Sequence, residues 1–330
     1  MRPYATVQNE GFKYMLQTLE PKYKVPSRTH FSEVVMPQLL STVASRVKAK
    51  INAAKYVAVT TDAWTSRTTE NFVAVTAHFI NDEWEFENYT LETKHFPESH
   101  TSENLASALQ KTVEDWNLSR NGCGPAICTD NASNIVKAVR DVGYTHVGCF
   151  AHTLNLATQK GIKLSPVDRL LGRVRRVVTF FHKSTSATSS LKLMQTKLEL
   201  PEHRLIIDVH NRWNSTYDMC ERYLEQQTAV FAALIEIKRT VKDLVTLSED
   251  DVRHMEELVA TLKPLKTVTV MMSSAENATI SLIHPFKEMI LKQMERNEND
   301  SKFISDVKAA ICNDLQPRCL ISLFFKLLNS

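Results

Sequence analysis

Two carboxylates stand where a metal ion could use them. Asp62 follows the β-branched run Tyr56-Val57-Ala58-Val59-Thr60-Thr61, and Asp130 follows Pro125-Ala126-Ile127-Cys128-Thr129. Each is read as directly following a buried strand, held rigidly yet open to solvent. Two such acids on adjacent strands converge on one site. Mg²⁺ prefers hard oxygen ligands and is usually held by only a few carboxylates. A pair of such ions roughly 4 Å apart activates the attacking oxygen and stabilises the leaving oxygen of a phosphodiester. An Asp after a strand also serves as a helix N-cap, and Asp130 precedes a helical run. A lone acid in that setting reads as a cap. It is the pair, in this strand order, that points to metal and phosphate chemistry.

Other residues could carry chemistry too. Cys149 and His152 have the spacing of half a zinc site, but no second Cys/His pair follows at ligand spacing. The reading for His152 is therefore a buried, hydrogen-bonded side chain. Arg212 and Trp213 sit among Asn211, Asn214 and Ser215. Those polar neighbours predict an exposed indole.

The elements that must position these residues follow from periodicity. Residues 8–52 read as two helices interrupted by Pro21 and Pro26, with Pro37 near the start of the second. Three strands come next, at 56–61, 72–80 and 84–96, followed by a helix from Ser102. A strand over 125–129, a helix with Ile135, Val136 and Val139, and a strand over 145–149 complete the pattern. Helical periodicity then dominates over 166–182, 186–199, 214–238 and 250–272, with a strand-like stretch at Leu205–Val209. Three antiparallel strands followed by strands alternating with helices predict an α/β fold with a mixed sheet, in the element order of the RNase H-like fold. Four segments result: a helical N-terminal segment (1–52), an RNase H-like core (53–215), a helical insertion-like region (216–316) and an apolar tail (317–330).

Composition sets the class. Hydrophobic residues make up 43% of the 330 and charged residues 23%, enough material for a globular core. No run of 18 apolar residues marks a membrane span, and the N-terminus lacks the apolar stretch of a secretory signal. The six cysteines follow no framework spacing, which predicts free thiols in a reducing compartment. Net charge is only +3, but nine Lys and Arg against three Glu fall in residues 1–55, and seven against two acids in 166–200. Such patches fit phosphate contacts or solvated helix faces.

Four blocks in order resemble the hAT transposases. Thr61-Asp62-Ala63-Trp64-Thr65-Ser66 is similar to the block of their first acid, and Thr129-Asp130-Asn131-Ala132-Ser133-Asn134 to that of the second. Cys149-Phe150-Ala151-His152-Thr153-Leu154-Asn155-Leu156 resembles their Cys-x-x-His motif, and Asn211-Arg212-Trp213-Asn214-Ser215-Thr216 their Arg-Trp motif. The stretch from Arg2 through Arg28 is similar to the segment after the BED zinc finger in host proteins derived from such elements. The resemblance runs from about residue 2 to about 316.

It implies Asp62 and Asp130 as the first two acids of a catalytic triad holding Mg²⁺ or Mn²⁺, with Cys149 and His152 in the core near them. It implies Arg212 and Trp213 at a flipped base, where an indole stacks well. It further implies DNA as partner, the nucleus as compartment and a homo-oligomer in the full-length form. Zinc would enter only through a BED finger, and none lies in these 330 residues. The third acid, a Glu in a C-terminal block, has no match here either. The expectation is a transposase-like protein that is catalytically incomplete in this form. The alternative is a domesticated, non-cleaving nuclear DNA-binding or transcription-regulatory factor of the BED-finger type, some of whose relatives are ascribed SUMO-ligase activity.

Overall fold

The computed structural model describes residues 3–238, 246–274 and 276–318. Most of the expected apolar tail, from residue 319 on, lies outside them. The chain divides into two compact units, one through Val147 and one from Gly148. None of the helices in the described residues is long and apolar enough to cross a membrane.

The first unit opens with a short 3₁₀ turn, Tyr4–Gln8, and α1 (Glu10–Leu19), which Asn9 caps by accepting from the Phe12 N–H. After the proline-marked break come α2 (Arg28–His30) and α3 (Met36–Ala53), joined by a π-helical stretch, Phe31–Val35. The second helix thus starts well before Pro37. A proline inside a helix lacks its N–H and crowds the carbonyl one turn back. The wider π turn just upstream relaxes that crowding, so the helix runs through.

Five strands follow: β1 (Ala58–Thr65), β2 (Asn71–Ile80), β3 (Phe86–His95), β4 (Ala126–Thr129) and β5 (Thr145–Gly148). Their order in the sheet is β3-β2-β1-β4-β5. β1 pairs antiparallel with β2 and parallel with β4, so the sheet is mixed, as the element order predicted. α4 (Ser102–Asp115) and α5 (Ser133–Asp141) supply the connections around β4 and β5. Alternation selects the core: Val59, Val73, Val75, Ala77 and Phe79 face in, against Leu105, Leu109 and Val113 of α4 and Ile135 and Val139 of α5. Val47 and Ile51 near the end of α3 join them. Arg120 fastens that end, its guanidinium donating to the carbonyls of Ile51 and Ala54. These are among the orphan acceptors that a helix C-terminus leaves. This is an α/β, RNase H-like mixed sheet with flanking helices.

The third strand is shorter than expected. Trp84 lies in the preceding turn at φ 63°, highly exposed. Asn81 makes the turn, its side chain accepting from the Glu85 N–H at 2.8 Å.

The second unit is helical: α6 (Phe150–Ile162), α7 (Ser165–Lys183), α8 (Thr185–Lys197), α9 (Trp213–Lys238), α10 (Glu249–Met272), α11 (Ile283–Gln293) and α12 (Lys302–Arg318). Leu205–Val209 is not a strand: the segment between α8 and α9 is irregular, and its residues are tied down one by one. Leu205 is buried and its carbonyl lies 2.7 Å from His182 Nε2.

α6 and α12 approach closely at Gly161. A Cβ there would lie 3.0 Å from Ile311 Cγ1, 3.1 Å from Val307 Cγ1 and 3.2 Å from the Val307 carbonyl oxygen. Both side chains are buried and the carbonyl is part of a helix, so the neighbours have little room to give. Gly161→Val should therefore lose roughly 1–3 kcal/mol to overpacking. Chemical denaturation of the pair checks this. An unchanged midpoint would mean that α12 does not pack on α6 in solution.

Candidate functional site

Asp62 lies inside β1, opposite Ala74 of β2, rather than just past the strand. The small polar residues after it read as a turn, but β2 keeps pairing with them as far as Thr65. Asp130 directly follows β4, as predicted. The parallel register of the two strands ends at Thr60 and Cys128, two residues before each acid in the sequence. Along β1 the exposed positions Thr60 and Asp62 alternate with buried Val59 and Thr61.

Neither acid is spent on an ion pair among the described residues, and the Asp62 side chain makes no hydrogen bond there. One oxygen of Asp130 accepts from the Ala132 N–H at 3.3 Å. This is a local turn contact. It does not cap α5, whose N-cap is Ala132 and receives no side-chain bond. A strand-end acid whose main alternative role was capping therefore keeps most of its acceptor capacity. Hard, uncommitted oxygens on two neighbouring strands fit a divalent ion such as Mg²⁺. Among the described residues no group of three or more His, Cys, Asp or Glu side chains is placed to hold a metal.

A small cleft of about 60 Å³ opens beside Asp130, with Thr61, Ala63, His100, Asn134 and Ile135 in its wall. Thr61 and Ala63 flank Asp62 in sequence and point to the other side of the strand, so the cleft belongs to Asp130 rather than to both acids. His100 is the residue that sequence reading missed. Its Nε2 is buried without a hydrogen-bond partner among the described residues. Its ring lies against Phe96, 5.5 Å between centroids, and its carbonyl accepts from Asn134 Nδ2 at 2.8 Å. It directly precedes Thr101, the N-cap of α4, a position that carries no signal of this role. His146 Nε2 lies 3.0 Å from Thr129 Oγ1. Burial, then the charge of Arg140, lowers its pKa and favours the neutral ring. Burial also lowers that of His78, whose Nε2 lies 2.9 Å from Thr60 Oγ1.

The remaining motif residues belong to the second unit. Cys149 is the N-cap of α6, and its carbonyl accepts from both the backbone and the hydroxyl of Thr153. His152 is half-buried and makes no hydrogen bond among the described residues, so the expected buried, bonded imidazole is not found. Trp213 is 1% exposed, which corrects the exposed indole predicted from its neighbours. The polarity of those neighbours serves the turn that starts α9. Ser215 Oγ donates to the carbonyls of Val209 and Arg212 and accepts from the Val209 N–H, while Asn155 Oδ1 accepts from the Trp213 N–H. Arg212 is exposed and without an ion pair among the described residues. The five cysteines among the described residues are free thiols. Complete burial pushes the Cys220 thiol up to about 12.

Comparison with known proteins matches two domains end to end. The ZBED1 RNase-like domain covers residues 60–145, and the ZBED1 RNase-like helical domain covers 147–261. Zinc finger BED domain-containing protein 4 of Homo sapiens is 26% identical over 89% of this chain, which covers 26% of that protein. Zinc finger BED domain-containing protein 6 of Homo sapiens is 26% identical over 91% of this chain and 32% of its own length. The Putative AC transposase of Zea mays is 23% identical over 86% of this chain and 36% of its own length. The chain thus spans a quarter to just over a third of these relatives. With the four sequence blocks in order on the elements described, the chain belongs to the family of hAT transposases and the BED-type proteins derived from them.

Proposed function

We propose that this chain is a DNA-binding, RNase H-like core that works in the nucleus and carries two of the acids of a hAT-type metal site. The observation that carries the reading is the placement of the two acids, Asp62 inside β1 and Asp130 directly after its parallel neighbour β4, neither of them paired with a cation among the described residues. Asp62 and Asp130 would hold Mg²⁺ or Mn²⁺. The bound ion would polarise a phosphoryl oxygen and lower the pKa of a bound water. The protein's own part is to fix the two carboxylates on rigid strands and to hold neutral His146 and Thr129 behind Asp130. With two carboxylates, most of the ion's coordination is left to water and phosphate oxygens. Affinity is then low, and cleavage by this chain alone is not expected. Homo-oligomerisation of the full-length protein belongs to the same proposal, supported by family resemblance.

The test uses Mn²⁺ as probe, read by electron paramagnetic resonance, together with nicking of supercoiled plasmid. The expected result is weak Mn²⁺ binding that disappears in Asp62→Asn/Asp130→Asn, and no nicking above that of the variant. Equal Mn²⁺ binding by the variant would remove the two acids from the site. Nicking that depends on Asp62 would show the site to be complete, and the non-cleaving reading would fall.

A further inference from the structure

The arginines and lysines of α7 are sorted into two kinds. Arg173 and Arg175 are braced, the first against Asp251 and the second against Asp208 and Asp168. Arg169, Arg176 and Lys183 are exposed and have no ion pair among the described residues. They are seven residues apart, and seven residues are close to two helical turns with about 10.5 Å of rise. The three therefore form one row along the helix, away from buried Val167, Leu170, Val174, Val177 and Phe181. At the end of the row, where α7 meets α8, a groove of about 400 Å³ opens. Its wall is Arg175, Arg176, Thr179, Phe180, Lys183 and Ser184, with no carboxylate among them.

Exposed cations in a row without counter-charges are available to a polyanion, and neutralising phosphates with them releases counterions. One strand of duplex DNA advances about 3.4 Å per phosphate along the axis. Three cations at two steps of about 10.5 Å span about 21 Å of α7, long enough to lie across several phosphates of one duplex. The groove adds hydroxyl donors from Thr179 and Ser184 and the apolar side of Phe180, a surface suited to phosphate and sugar together.

We propose that the Arg169–Arg176–Lys183 row and the groove at its end form a sequence-independent binding track for the DNA backbone. The assignment rests on the DNA-binding reading above and adds the surface that does it. It predicts a specific salt signature. Each phosphate contact contributes about 0.9 to the slope of log K against log salt on duplex DNA.

The test is fluorescence anisotropy of the full chain on a 30-base-pair duplex between 50 and 200 mM salt. Arg176→Gln/Lys183→Gln should reduce the magnitude of the slope by about 1.8 and weaken binding at least roughly ten-fold at 100 mM. Arg176→Lys/Lys183→Arg should keep the parent slope. Both side chains are exposed, so the melting temperatures should agree, and a melt of each variant confirms that folding is intact. A glutamine variant with the parent slope overturns the track while leaving DNA binding standing. If the unmodified chain binds no duplex at 50 mM, the DNA-binding reading itself falls. If the same substitutions abolish binding to anionic vesicles but not to DNA, the row is a membrane contact and the assignment is overturned.

Discussion

Replacing Asp208 by Ala should destabilise the helical unit by about 3–5 kcal/mol, because it breaks a largely buried pair and leaves Arg175 only the longer contact with Asp168 at 3.6 Å. The Asp208 side chain is 3% exposed and meets Arg175 in a two-pronged pair, 2.9 Å to Nε and 2.8 Å to Nη2. A third bond comes from Thr216 Oγ1, 2.9 Å from Oδ2. These bonds tie the irregular stretch before the Arg-Trp turn to α7 on one side and α9 on the other. In a unit of this size each kcal/mol is worth roughly 2–4 °C, so the melting temperature should fall by roughly 6–20 °C. Arg175→Met/Asp208→Leu should recover much of the loss, since an apolar pair of similar size leaves no unpaired charge. If Asp208→Ala melts with the parent, the stretch is not clamped in this way.

The same pair sets a pH dependence with a definite sign. Burial alone would raise the Asp208 pKa, but the bonds from Arg175 and Thr216 outweigh it and hold the group below the ordinary carboxylate range. An unfolded Asp titrates near 3.9, on the order of a normal carboxylate. A depressed folded pKa means that the stabilisation is full above the unfolded value and is lost as the pH falls through the folded one. The melting gap between parent and Asp208→Ala should be wide at neutral pH and close only in acid below about 4. A gap that narrows at higher pH would point to a different titrating group.

What the sequence made legible, and what it hid, follows one physical line. The β-branched runs and their alternation placed all five strands, because a half-buried sheet needs that pattern. Asp130 was placed correctly, since Thr129 is the last residue of β4. The first strand was ended too early, at Thr61 rather than Thr65, which left Asp62 just outside it. Thr-Asp-Ala-Trp-Thr has the composition of a loop, and only the long partner β2 keeps it in the sheet. Leu205–Val209 has strand-like residues but finds no neighbouring edge, so its groups are satisfied one at a time by His182, Arg175 and Ser215. His100 could not be read at all. Its interest comes from an unpartnered nitrogen in a cleft made by elements distant in the chain, and no local spacing encodes that. The row on α7 was visible only as surplus charge. Separating braced from unbraced arginines required knowing where Asp208 and Asp251 fold.

Trp213 gives the sharpest test of motif against packing. Polar neighbours suggested an indole free to meet a base, yet Trp213 is among the largest fully buried side chains and lies in the core of the helical unit. Removing a buried indole costs about 3–5 kcal/mol through lost burial and the cavity left behind, so Trp213→Ala should lower the melting temperature by about as much as Asp208→Ala. Trp213→Phe should recover part of it. Arg212→Ala, one residue away and exposed, should change stability by no more than about 0.5 kcal/mol. Anisotropy on duplex DNA, read well below both transitions, separates the roles. If the indole is core, the folded Trp213→Ala chain binds DNA as the parent does, and its whole defect is thermal. If the variant instead melts with the parent and loses DNA binding, the indole leaves the core to meet DNA. The burial seen here would then be the resting state of a residue that works outside it.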